Sequence, residues 1–262
     1  MLDTRFNTAQ EMFSDLSLEI VLLLALAAFL AGFIDSIAGG GGLITVPALL
    51  LAGLAPVQAL GTNKLQSLFG SASATMTYAA KGLVDIRKQL PSAALALIGS
   101  VAGAVLATIL PGEWLNAVLP PLLVAIALYF AFKPNMDDVD RAQRLSPFLF
   151  GLFVVPVIGF YDGIFGPGTG SFFMLAFVTL AGYGVLKATA HTKLLNFSSN
   201  IGAFAFFAYA GVISWQIGLI MGVCQFFGAR VGATLAMKNG ARLIKPLLVV
   251  TCVVLAIKLI LD

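Results

Sequence analysis

Ten apolar stretches, most of them about as long as a bilayer core is thick, constrain this chain more than any other feature. They cover 17–38, 43–54, 57–80, 90–110 and 114–132, and then 147–165, 171–184, 186–210, 214–237 and 242–261. Crossing the hydrocarbon core takes about 20 apolar residues of helix. In lipid every backbone N–H and C=O must be satisfied internally, which leaves helices or closed barrels. Of the 262 residues 60% are hydrophobic and only 10% charged, whereas soluble domains carry about a quarter charged residues. So few charges cannot cover a water-soluble surface, and the long runs predict an all-α, polytopic membrane helix bundle with the lipid bilayer as its solvent.

The remaining composition excludes other classes. The net charge of +3 comes without a dense basic patch, so it points to cytoplasmic loops and gives no sign of nucleic acid. Cys224 and Cys252 both fall inside apolar runs, and His191 is the one histidine. Neither a disulfide framework nor a metal centre is expected. Ahead of the first run stand Asp3, Glu11, Asp15 and Glu19 against Arg5. That is the wrong sign for a secretory signal, so the first run reads as a retained helix.

The chain reads as two related halves. Gly32-Phe33-Ile34-Asp35 matches Gly159-Phe160-Tyr161-Asp162, and Gly39 and Gly41 match Gly166 and Gly168, all at a spacing of 127. After the second glycine loop the spacing becomes 129: Lys64-Leu65 matches Lys193-Leu194, Gly82 matches Gly211, and Gly99 and Gly103 match Gly228 and Gly232. The predicted organisation is a first membrane repeat over 1–132, a cytoplasmic linker over 133–146 and a second repeat over 147–262. Each repeat has about five hydrophobic segments. The second of each five follows a glycine break and is too short for an upright span, which predicts a short, discontinuous or partly re-entrant helix.

Charge predicts how the halves are oriented, because loops rich in Lys and Arg stay in the cytoplasm. The loop with Lys81, Arg87 and Lys88 has an uncharged counterpart at 210–216, whereas 110–113 holds only an acid and its counterpart carries Lys238, Arg242 and Lys245. Equivalent loops on opposite sides are the mark of an inverted repeat with an odd number of crossings per half. Five fits, and would place both termini outside.

Ionisable side chains inside a bilayer are functional candidates by default. Lys64 and Lys193 sit near the start of the third segment of each half, each beside a polar stripe. Asn63, Ser67 and Ser71 recur every four residues, and Thr192, Asn196 and Asn200 occupy the matching places. That spacing lines one face of a helix. Two ammonium groups with amide and hydroxyl donors, including Thr62, Gln66 and His191, suit a small anionic substrate. The glycine loops, with Gly40, Gly41 and Gly168, would let backbone N–H groups and a helix N-terminus approach it. The bland reading has each lysine paired with an acid or snorkelling to the interface. Asp35 and Asp162 read either as a proton relay or gate that pairs with a lysine, or as groups that terminate a helix. His191 could titrate or simply pack. Gly99-x-x-x-Gly103 and Gly228-x-x-x-Gly232 read as close helix contacts. No Gly-Lys-Ser/Thr follows the glycine runs, so a P-loop and a nucleotide cofactor are not expected.

Phe33-Ile34-Asp35-Ser36-Ile37-Ala38-Gly39-Gly40-Gly41-Gly42-Leu43 and Thr62-Asn63-Lys64-Leu65-Gln66 resemble the TauE/SafE family of sulfite exporters. So do the run from Gly159 to Gly170 and the run from Lys187 to Asn196. The resemblance covers nearly the whole chain. It implies a transporter of the bacterial plasma (inner) membrane for sulfite, sulfonates or related sulfur-containing anions, with Lys64, Lys193 and their polar neighbours in the defining motifs. Its rivals are a passive anion channel, a carrier of a non-sulfur organic anion, and an assembly protein whose polar stripes only join helices. An enzyme is not expected, since no catalytic constellation is present. No cofactor is implied, and a homo-oligomer stays open.

Overall fold

The computed structural model describes residues 17–239, apart from 115–116, 119–120 and 122–138. The predicted segment at 242–261 and most of that at 114–132 therefore lie outside the described residues. The rest form helices, with no strand among the described residues: α1 (Leu18–Ala38), α2 (Gly42–Leu51), α3 (Pro56–Ala79), α4 (Ile86–Ile109), α5 (Pro147–Ile164), α6 (Thr169–Thr179), α7 (Val185–Tyr209) and α8 (Trp215–Asn239). Local chemistry sets several of the ends. Ser17 caps α1 by accepting from Ile20 N, and Asp85 caps α4 by accepting from Lys88 N, each satisfying a donor left over at a helix start. Pro56 opens α3, where a missing N–H is harmless. In α5 a π-helical turn at Phe150–Val154 precedes Pro156; the wider turn relieves the clash a proline ring makes with the preceding turn.

Among the described residues four helices are long and apolar enough to cross a membrane: α1, α4, α5 and α8. They show apolar stripes outward. Leu18, Leu22, Leu26 and Leu30 are exposed on α1, and Leu219, Val223, Phe227 and Val231 on α8, each set at a spacing of four, which is one helix face. Helices α3 and α7 are as long, at 24 and 25 residues, but less apolar, and they bury their polar residues. They form the centre. Helices α2 and α6, of 10 and 11 residues, extend about 15 Å, half the hydrocarbon thickness. They are the short second segments that the glycine breaks predict.

The small-residue motifs decide which helices meet. A Cβ at Gly228 or Gly232 would collide with the carbonyls of Phe29 and Phe33 on α1, and one at Gly99 or Gly103 with those of Pro156 and Phe160 on α5. Phe29 and Pro156, like Phe33 and Phe160, stand 127 apart, the spacing of the first segments. The fourth segment of each half thus packs on the first segment of the other, and the same cross-over joins α8 to α3 and α4 to α7. The halves interlock.

Candidate substrate-binding site

Where α1 gives way to α2, and α5 to α6, the glycine loops from the two halves meet. Ser171 Oγ donates to Ala38 O at 3.0 Å. Gly39 has φ +80°, and a Cβ there would strike the backbone of Gly170 and Ser171. Both facts require glycine: the left-handed conformation and the loop-to-loop approach. Gly166, with φ +87°, is pressed by chemistry, since a Cβ would lie 2.8 Å from the Lys64 amine.

Around these loops stand two ion pairs, each joining the halves. Lys64 Nζ on α3 lies 2.7 Å from Asp162 Oδ1 on α5, the two side chains only 1% and 5% exposed. Lys193 Nζ on α7 lies 3.2 Å from Asp35 Oδ2 on α1 and also donates to the Asp35 carbonyl. Asp35 Oδ1 in turn accepts from Gly41 N at 3.2 Å. Each lysine of a third segment therefore meets the aspartate of the opposite first segment. A buried pair of this kind is held because releasing one partner leaves an uncompensated charge, at about 3–5 kcal/mol.

A small cavity lies between the pairs, with about 20 Å³ open to the centre of a water molecule, room for about one water. Of the residues predicted from sequence, it is lined by Lys64, Asp35, Asp162, Asn63, Ser67, Asn196, Asn200, Gly40, Gly41 and Gly168. Lys193 does not line it; its amine is bound to Asp35, which does. The other predicted residues lie off the cavity. Thr62 Oγ1 accepts from Ser214 N at the start of α8, at 3.0 Å. Gln66 Nε2 donates to Asn63 Oδ1 at 3.0 Å, and Ser71 Oγ to the Ser67 carbonyl at 2.6 Å. Thr192 is buried, its hydroxyl without a partner among the described residues. His191 faces a second, larger cavity near the start of α4, where its Nδ1 and carbonyl hold the Gln89 amide.

Sequence reading missed Thr45, which donates to Asn63 Oδ1 at 2.6 Å, and Gln225, which reaches the cavity from α8. Gln225 is 2% exposed, and it fits because Gly32 and Gly70 leave it space. Its counterpart 129 residues earlier is Ala96. The one signal was a lone amide in an apolar run. Chemically the lining offers a lysine charge and amide and hydroxyl hydrogen bonds suited to a small anion, and because the space fits about one water, an oxyanion enters only if the surrounding loops part.

Comparison with known proteins bears on the same residues. The family profile described as sulfite exporter TauE/SafE matches residues 24–259. The chain is 62% identical over 248 residues to the "Probable membrane transporter protein ORF9" of Sinorhizobium sp, covering 95% of each chain. It is 45% identical over 255 residues to the "Probable membrane transporter protein YfcA" of Escherichia coli K12, covering 96% of this chain and 95% of that one. A "Probable membrane transporter protein" of Haemophilus influenzae is 44% identical over 248 residues, 95% of this chain and 97% of the relative. No solved structure matches the chain.

Proposed function

The chain belongs to the TauE/SafE family of membrane transporters, and from that premise we propose that it is a secondary carrier of a small anion, a sulfite, sulfonate or related sulfur-containing oxyanion. The observation that carries this reading is the pair of buried lysines held by aspartates of the opposite half, Asp35 and Asp162, which both line one cavity. A charged lysine in that setting needs a negative partner. An oxyanion that replaces a carboxylate satisfies it, and the freed aspartate must then move, take a proton or meet another cation. Binding and conformational change are therefore coupled through the same charges. A permanently open pore would need no such exchange.

The substrate sits between the glycine loops, where Lys64 and Lys193 supply charge, and Asn63, Ser67, Asn196 and Asn200 hydrogen bonds. The protein lies in a bacterial inner membrane, with the linker in the cytoplasm and both termini outside, as an inverted pair of repeats. The matched cross-contacts of α8 on α1 and α4 on α5 support a two-fold relation between the repeats, the charge of the loops supports its inversion, and Asp35 and Asp162 act as the gate.

Flux in proteoliposomes tests the reading. Sulfite, sulfate, thiosulfate, a sulfonate and acetate are supplied with and without a pH gradient, beside Lys64→Ala. Saturable flux of a sulfur oxyanion that Lys64→Ala reduces at least about a hundredfold, the equivalent of about 3 kcal/mol, is expected. Unaltered flux and affinity in Lys64→Ala would overturn the site.

A further inference from the structure

The larger cavity near the start of α4 has no part in the site described so far. About 400 Å³ of it is open to the centre of a water molecule, room for an oxyanion and several waters. Its walls come from both halves: Gln89 and Ser92 on α4, Gln143 in the linker, Phe177 on α6, Tyr183 in the next turn and His191 on α7. Asp85 and Lys88 also line it and are exposed, so it opens to solvent. The linker is strapped along the turn before α7, where Arg141 N donates to Gly182 O at 2.7 Å and Leu145 N to Leu180 O at 3.0 Å. The matching place in the two-fold arrangement is filled. At the spacing of 129, Lys88, Ser92, Phe177 and Tyr183 correspond to Ile217, Met221, Ala48 and Leu54, and these four pack in one apolar cluster. Of the two matched places, one is polar and open, the other apolar and sealed.

Charge follows the same division. The segments that frame the cavity, 80–88, 139–146 and 180–187, carry Lys81, Arg87, Lys88, Arg141, Arg144 and Lys187 against Asp85 and Asp140. The turns 209–217 and 53–58, which match 80–88 and 182–187, carry no charge. A cleft framed by an excess of one sign gathers ions of the other. Where the cavity meets α7, a clasp joins the halves. Gln89 Nε2 donates to the His191 carbonyl at 2.9 Å, and Gln89 Oε1 lies 2.7 Å from His191 Nδ1. Five residues further on, about 7 Å along the helix, Asn196 lines the central cavity. His191 corresponds to Thr62, whose Oγ1 accepts from Ser214 N just before α8. Each third segment is thus fastened near the start of the other half's fourth segment.

We infer that this cavity is a vestibule in which a small anion docks on the cytoplasmic side, and that the Gln89–His191 clasp is the gate between the vestibule and the centre. The ligand rests on the anion-carrier reading, and the side on the charge of the loops. Basic segments draw the anion to the mouth, and the polar lining keeps the space wet. The clasp is two hydrogen bonds between the halves, and water in the vestibule can replace both when it parts. The matched place opens only by pulling apart an apolar cluster, which exposes that surface to water. The carrier therefore rests open toward the linker and shut on the other side, and the central cavity, too small for an oxyanion, widens when the inner clasp gives way.

Thiol access reads the vestibule and flux reads the carrier, so either can fail alone. Full-length protein with Cys224→Ser and Cys252→Ser receives Ser92→Cys or the matching Met221→Cys, and is placed in inside-out and right-side-out vesicles. The probes are two membrane-impermeant methanethiosulfonates, one bearing a sulfonate and one a trimethylammonium group, with rates scaled to a free thiol in solution. Ser92→Cys should react from the cytoplasmic face at least about tenfold faster than Met221→Cys from either face. It should also react about tenfold faster with the sulfonate reagent than with the cationic one. Gln89→Ala should speed the reaction of Ser67→Cys, at the central cavity, about tenfold from the cytoplasmic face. His191→Phe keeps a ring beside Phe177 and Tyr183 and removes the Nδ1 bond, and it takes the place of Gln89→Ala if that variant does not fold. A Ser92→Cys that resists the sulfonate reagent, reacts only from outside, or prefers the cationic reagent would overturn the vestibule. A Ser67→Cys indifferent to the loss of the clasp would overturn the gate. Absence of flux for every anion, with Ser92→Cys reacting as expected, would strike the carrier reading and leave the vestibule standing.

Discussion

Lys64 and Asp162 illustrate how a buried charge pair should be tested. At 2.7 Å and almost without exposure, each is held by the other. Removing one leaves a bare charge in a low-dielectric interior, at about 3–5 kcal/mol, whereas removing both leaves none. Lys64→Ala and Asp162→Ala should each destabilise the detergent-solubilised protein by about that much, and the double variant should be more stable than either. Unfolding of the three variants against the parent measures the coupling, and additive losses would show that the two side chains do not depend on each other. The charged residues of the site were legible in the sequence because a lysine or aspartate inside an apolar run is costly in lipid and must turn to a polar interior. Thr62 was misplaced for a geometric reason: neighbours on a helix point about 100° apart. When Asn63 and Lys64 face the cavity, the residue before them faces the start of a neighbouring helix. Gln225 escaped because a neutral amide without a counterpart leaves no pattern to read.

At the scale of elements, the small-residue motifs were legible as contacts, but their partners were not. A glycine declares that something comes close without saying what. The structure supplies the answer: backbone carbonyls of α1 and α5. A leucine at Gly103 would drive its side chain into the Phe160 carbonyl, and overpacking of this kind costs about 1–3 kcal/mol or more. Gly103→Leu should therefore lower Tm or prevent accumulation in the membrane, while Ile98→Leu on the exposed face of the same helix should be silent. The linker end is held differently. Asp140 accepts from Gly184 N at 2.6 Å and from Lys187 Nζ at 2.8 Å, which ties it to the turn before α7. The Gly184 N–H first, and then Lys187, hold its carboxyl below the usual carboxylate range. A lowered pKa contributes stability that is fully present above the unfolded value and lost as pH falls through the folded one. Asp140→Ala should thus cost about 2 °C or less in Tm at neutral pH, because the group is half exposed and screened. The difference from the parent should fade below about pH 4. Thermal unfolding across pH 3–7 checks both.

The whole molecule is best understood as two halves that complete each other. Neither has both members of a buried central ion pair, since Lys64 needs Asp162 and Lys193 needs Asp35; and neither supplies the helix on which its own fourth segment packs. Duplication was readable from the register of glycines, lysines and aspartates. The interlocking was not, because sequence spacing records which residues correspond and not which ones touch. Orientation in the membrane follows from a different force, the retention of basic loops in the cytoplasm, and it can be tested with two matched positions. Lys81 follows α3 and Ala210 follows α7, 129 residues apart. If the repeats are inverted, these equivalent turns lie on opposite sides of the membrane. In a background with Cys224→Ser and Cys252→Ser, Ala210→Cys should react with a membrane-impermeant maleimide in intact bacterial spheroplasts, and Lys81→Cys only after permeabilisation. Labelling of both from the same side would make the repeats parallel. The lysine and arginine excess of the 80–88 turn would then need another cause, and the proposed two-fold axis in the membrane plane would be lost.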